Sequence, residues 1–136
     1  MKVMVLVKAT EKSEAGEMPS TEMLEAMGAY NEELVSAGIM LDGDGLRPTS
    51  HGVRIIQGGS QPEVVDGPFA ETKELLAGYW VWKVKDMDEA IEWARRAPNT
   101  GVDEGILELR PFVTAEDFGE ALTPELIRSA ETRALI

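Results

Sequence analysis

The chain has 136 residues, is 43% hydrophobic and 28% charged, and carries a formal net charge of −12. That length suits one domain with its own core. Such a charge argues against direct phosphate-mediated nucleic-acid binding, which needs a clustered basic surface. It contains no cysteine, so thiol catalysis, thiolate metal sites and disulfides are excluded.

Residues 2–8 (Lys-Val-Met-Val-Leu-Val-Lys) are apolar at both alternating sets, the pattern of a strand buried on both faces. The run is too short for a secretory core and far short of a membrane span, so a cytoplasmic protein with no membrane partner is expected. Residues 9–18 are polar and small and are expected to form a loop. A helix is predicted from Ser20 or Thr21, good N-caps, to Gly38, with Met23, Met27, Tyr30 and Leu34 as its buried stripe. Its methionines invite a cofactor groove, but methionine is a common gap-filler and core packing is the expected role.

Two Asp-Gly pairs within Asp42-Gly43-Asp44-Gly45 predict turns over residues 39–50. A calcium loop starting at Asp42 is excluded, because Arg47 and Val53 stand where it needs glycine and glutamate. Residues 52–57 and 62–66 flank Gly58-Gly59-Ser60 and read as a hairpin whose second strand delivers Asp66. Asp66-Gly67-Pro68-Phe69 then forms a rigid corner.

Residues 75–85 form the longest apolar run. Leu76, Gly78, Trp80, Trp82 and Val84 occupy one face of the predicted strand, and Leu75, Ala77, Tyr79 and Val81 the other. Two apolar faces in a chain with two main helices call for a second subunit, packed sheet against sheet. Asp86 with Glu89 resembles a capping box opening a helix that Pro98 stops. Arg95 and Arg96 at its C-terminal end invite a binding patch, but helix-end arginines normally complement the dipole and that is the expected role. The last strand spans residues 105–112, with Leu107 and Leu109 on one face and Ile106, Glu108, Arg110 and Phe112 on the other. Thr123 and Pro124 open a short tail helix. The order strand-helix-hairpin-strand-helix-strand predicts an α+β fold, a ferredoxin-like split β-α-β with an added hairpin. A domain over residues 1–112 and a helical extension over 113–136 are expected.

Asp66 is the candidate acid–base group if burial raises its pKa; the alternative is a cap of its own turn. His51 is a candidate proton shuttle or a loop residue. Arg54 and Arg110 are candidate clamps for an anionic ligand. Phe69 lies within the corner, and Lys73 and Glu74 follow it, able to bind or polarise a ligand or to lead into the next strand. Glu108 and Arg110 form a solvated pair or line a cleft. Tyr79, Trp80 and Trp82 line a ligand wall or fill the core and interface. There is one histidine, which excludes a His-based metal centre within one chain, and no cofactor or metal is expected.

Asp66-Gly67-Pro68-Phe69, followed by Ala-Glu-Thr-Lys-Glu74, Gly78 and Tyr79, resembles the YCII-related family in its DGPF-domain branch. Gly43-Asp44-Gly45-Leu46 with Pro48, Asp86-Met-Asp-Glu-Ala90 and Leu109-Arg110-Pro111 extend the resemblance from Met1 to about Phe112. It implies a dimeric α+β barrel, a homodimer through the sheet face, with a cleft between sheet and partner near Asp66. Some relatives act in aromatic breakdown, so a small ligand is expected there, aromatic or, from the candidate arginine clamps, anionic. An acid–base enzyme without a metal is one reading. The alternative is a ligand-sensing or regulatory module associated with an extracytoplasmic-function sigma factor. Relatives with a His–Asp pair leave His51 as the one histidine available here.

Overall fold

The computed structural model describes residues 1–99 and 104–133. Its six strands are β1 (Lys2–Lys8), β2 (Met40–Gly45), β3 (Val53–Ile56), β4 (Glu63–Asp66), β5 (Leu76–Lys83) and β6 (Leu107–Pro111). Its α-helices are α1 (Glu11–Glu14), α2 (Thr21–Ser36), α3 (Met87–Arg95) and α4 (Pro124–Thr132), with short 3₁₀ turns between. The fold is α+β. A four-stranded antiparallel sheet runs β2-β5-β1-β6, and β3 and β4 pair apart from it as a two-stranded hairpin.

Alternation along the strands divides the sheet. Val3 and Val5 lie opposite Trp82 and Trp80, and all four are buried. With Tyr30 and Leu34 of α2, Ile39, Val84 and Ala90 of α3, they form the core. The helices start where the caps allow. Ser20 accepts from the Met23 N–H and Asp86 from the Glu89 N–H, each satisfying a donor that the first turn leaves free. Thr123 does the same for α4, a helix with no buried residue.

Two predicted loops are ordered structure. The stretch after β1 is not a simple loop: α1 forms there, because Thr10 and Ser13 make a reciprocal capping box. The Asp-Gly stretch is strand β2 on the sheet edge, paired with β5 through a register shift between Met40 and Asp42. Backbone pairing overrides turn propensity here, and small residues permit it. A Cβ on Gly43 would meet Trp80 Cδ1 at 2.7 Å. β2, not the hairpin, therefore completes the sheet between α2 and β5.

Candidate functional site

The Asp66 corner is built from backbone contacts. Val53 pairs with Asp66 across the hairpin, and the Gly67 N–H donates to Gly52 O at 3.0 Å. Gly67 lies so close to the Thr49 carbonyl that a Cβ there would collide with it. The Phe69 N–H donates to Thr49 Oγ1 at 3.1 Å. That hydroxyl donates to Glu14 Oε2 at 2.6 Å, and the Thr49 N–H donates to Glu14 Oε1 at 3.0 Å. One carboxylate on α1 thus latches the turn that supports the corner. The Arg54 guanidinium lies 3.8 Å from the Phe69 ring centroid, a stacking contact that occupies its planar face.

Asp66 itself is exposed. Its carboxylate takes no hydrogen bond or ion pair among the described residues. His51 is exposed in the 3₁₀ turn beside Thr49, and its backbone N–H donates to Pro48 O. The register puts Asp66 on the same hairpin face as Val53, Ile55 and Val64, three apolar side chains each more than half exposed.

The other candidate residues lie elsewhere. Tyr79, Glu108 and Arg110 share the sheet face turned away from the helices. There Leu6 lies between Tyr79 and Glu108, and Met4 between Val81 and Arg110. The central Met4, Leu6, Tyr79 and Val81 are partly exposed. Glu108 pairs with Lys8 at 3.5 Å rather than with Arg110. The Tyr79 hydroxyl donates to Asp42 Oδ2 at 3.2 Å, and that neighbouring carboxylate pushes the tyrosine pKa up. Lys73 is exposed and lines a shallow depression of about 510 Å³ with Lys8, Glu11, Glu71 and Glu104. Glu74 is exposed in the turn leading into β5.

An open cavity lies on the opposite side of the sheet. It has a volume of about 870 Å³, within the range of small-molecule sites. Its floor is Val7, Trp80, Leu107 and Leu109, and its walls include Met23 and Met27 of α2 and Ile91 of α3. Trp80 is fixed in place: its Nε1–H donates to Asn31 Oδ1 at 2.9 Å, and Tyr30 packs edge-on with centroids 5.8 Å apart. Tyr30 in turn donates to Trp93 O at 2.6 Å, and burial pushes its pKa up to about 12. None of Asp66, His51, Arg54, Phe69, Lys73, Glu74, Tyr79, Glu108 and Arg110 lines this cavity. Lys12 and Arg95 do, whereas Arg96 stacks on Trp93 at 3.8 Å.

The residues that make this cavity carry two readings each in the sequence, with the structural one favoured: methionines as cofactor groove or core filler, Arg95 as binding patch or dipole partner, Trp80 as ligand wall or core and interface. A signal was present in the methionine spacing. Met23 and Met27 occupy the apolar stripe one and two turns before Tyr30, yet they stay only partly buried. Among the described residues no cluster of three or more His, Asp or Glu could hold a metal ion, and no helix is long and apolar enough to cross a membrane.

An uncharacterised protein of Rhizobium meliloti (strain 1021) is 34% identical over 86 residues, which cover 63% of this chain and 69% of that one. Residues 1–115, all six strands included, match the YCII-related domain, and the chain belongs to the YCII-related family.

Proposed function

We propose that this chain is a small-molecule-binding protein of the DGPF-domain branch, working as a homodimer, whose ligand occupies the cavity between the sheet and helices α2 and α3. The observation that carries this reading is the cavity: about 870 Å³, floored by apolar side chains, with a tryptophan held rigid at its base. The described lining holds no histidine or aspartate. The acid–base-capable side chains it does hold are exposed at the mouth (Lys12, Glu17) or ion-paired (Lys8), which favours binding, and a sensing role, over acid–base turnover inside the cavity.

The sheet order supports a ferredoxin-like core, two strand-helix-strand units interleaved as β6-β1-β5-β2. Its open face supports pairing with a second copy in a dimeric α+β barrel. Apolar side chains run down the two central strands, and Asp42, Asp44, Glu108 and Arg110 stand at the two rims. An apolar centre with a polar rim is the anatomy of an interface.

An acid–base enzyme using Asp66 and His51 is the second reading. It is favoured by the position of Asp66 on the exposed apolar face of the hairpin. A second copy covering that face would desolvate the carboxylate and raise its pKa towards a useful range.

The test is titration of the full chain with N-phenyl-1-naphthylamine, a neutral apolar fluorophore, read by energy transfer from tryptophan. Saturable binding at one site per chain is expected, and Ile91→Trp should abolish it, because Ile91 lines the cavity while remaining 40% exposed and so tolerates a larger ring. Absence of saturable binding, or binding untouched by Ile91→Trp, would contradict the reading.

A further inference from the structure

The cavity wall reverses the charge balance of the chain. Acidic residues outnumber basic ones 25 to 13 overall. On the described lining of the cavity, Lys12 and Arg95 stand with one carboxylate, Glu17, while Lys8, also on the lining, turns its ammonium to Glu108 on the other face of the sheet. The neighbouring depression follows the chain-wide pattern instead, with Glu11, Glu71 and Glu104 against Lys8 and Lys73. That depression does not share the reversal.

The three cations are not equivalent. Lys8 is engaged by Glu108 at 3.5 Å. Lys12 and Arg95 have no ion pair among the described residues, and both are exposed, so their charges lie at the mouth while the floor is apolar. They come from two different elements: Lys12 from α1, Arg95 from the last turn of α3. The N-terminal end of the 16-residue α2 also borders the opening, through Ser20. Its partial positive charge is offset by Glu22 in its first turn and by the C-terminal end of α3, which borders the same cavity at Ala94 and Arg95. An apolar floor with a cationic rim matches a molecule with an apolar body and an anionic head. The body would bury against Trp80, Met23, Met27 and Leu107, and the head would stay at the mouth, within reach of two long flexible cations.

Resting on the reading of this cavity as the ligand site, we infer that its ligand is an amphipathic monoanion, an apolar or aromatic carboxylate, held with its head between Lys12 and Arg95. The shape and the charge are separable. The apolar floor accepts any tail of suitable size, whereas the rim selects the sign of the head.

The experiment holds the tail constant and varies the head: decanoate, decanol and decylamine, each titrated by calorimetry into the full chain at low ionic strength. Decanoate should bind at least about tenfold more tightly than decylamine. Lys12→Gln/Arg95→Gln, checked for folding by circular dichroism, should lower decanoate affinity about tenfold, the sum of two partly exposed charge contacts, while leaving decanol within about twofold. Raising salt should weaken decanoate and spare decanol. Should decanol bind while decylamine equals or exceeds decanoate, the anionic head is overturned and the cavity reading stands. Decanoate binding that the double variant leaves unchanged overturns the assignment of Lys12 and Arg95. Binding of none of the three overturns the inference and the cavity reading together.

Discussion

The Asp66 corner and the cavity stand in instructive contrast. The corner is a local object. Four consecutive residues are fixed by backbone contacts and one latch: Gly67 against the Thr49 carbonyl, the Phe69 N–H on Thr49, and Glu14 holding Thr49 in place. It is the most conspicuous stretch of the sequence, yet its carboxylate points to no described partner. The cavity is the reverse. It has no motif, being assembled from residues between Val7 and Leu109 on six elements, and it combines a ligand-sized volume with Lys12 and Arg95 at its mouth. A conspicuous motif can mark where a chain must turn, while a space of ligand size is distributed along the chain. The two meet at α1: its N-cap Thr10 and its Lys12 and Ser13 border the cavity, and its Glu14 secures the corner.

The sharpest way to break this contrast is Gly67→Ala. A methyl group forced into the Thr49 carbonyl cannot be absorbed by a side-chain shift. The expected cost is about 3 kcal/mol or more, at the upper end of overpacking effects, read by urea denaturation. A variant as stable as the parent would show that the corner is not architectural.

Thr49→Val comes next. It removes the hydroxyl that links Glu14 to Phe69 and leaves the Phe69 N–H without its acceptor. A loss of about 1–3 kcal/mol is expected. Faster hydrogen exchange at the α1 amides should accompany it, because the latch ties α1 to the corner. Unchanged exchange would separate the two regions.

At the back of the cavity, Tyr30 supports Trp80. Burial pushes the folded-state pKa of Tyr30 up to about 12, above the ordinary tyrosine value of 10.0. The sign follows: its neutral form is favoured in the folded state. Its contribution is complete below about pH 10 and is lost as pH rises from there through 12. Tyr30→Phe should flatten the fall in stability across that window. It should also cost about 1 kcal/mol at neutral pH through loss of the bond to Trp93 O. A stability–pH curve of unchanged steepness would contradict this.

The smallest effect is expected at the most conspicuous carboxylate. Asp66→Asn should change the stability of the isolated chain by less than about 0.5 kcal/mol, as for surface substitutions elsewhere. A larger loss, appearing as the protein associates, would favour the second reading, in which a partner copy encloses Asp66.

Much of the fold was legible because it rests on periodicity. The alternating apolar sets of β1 and β5, the stripe of α2 and the caps Ser20, Asp86 and Thr123 are local signals, and the structure follows them. β2 was not legible, since Asp-Gly pairs read as turns until β5 supplies a pairing edge and Trp80 requires a glycine opposite. α1 was hidden because a four-residue helix held by a capping box has no apolar stripe. The site was less legible than the fold. Asp66, Phe69 and Arg54 do come together at one corner, but Tyr79, Glu108 and Arg110 belong to the open sheet face, and Lys73 to a separate depression. Lys12 and Arg95 look like ordinary surface charges until the fold brings α1 and the end of α3 to one opening.

The methionines offer the most direct test that the cavity is the ligand site. Met23 and Met27 line it, whereas Met4 lies on the open sheet face. With methionine methyls carbon-13 labelled, decanoate should shift the NMR signals of Met23 and Met27 progressively and saturably while Met4 stays fixed. Shifts at Met4 with Met23 and Met27 unmoved would put the ligand on the other side of the sheet and contradict the account.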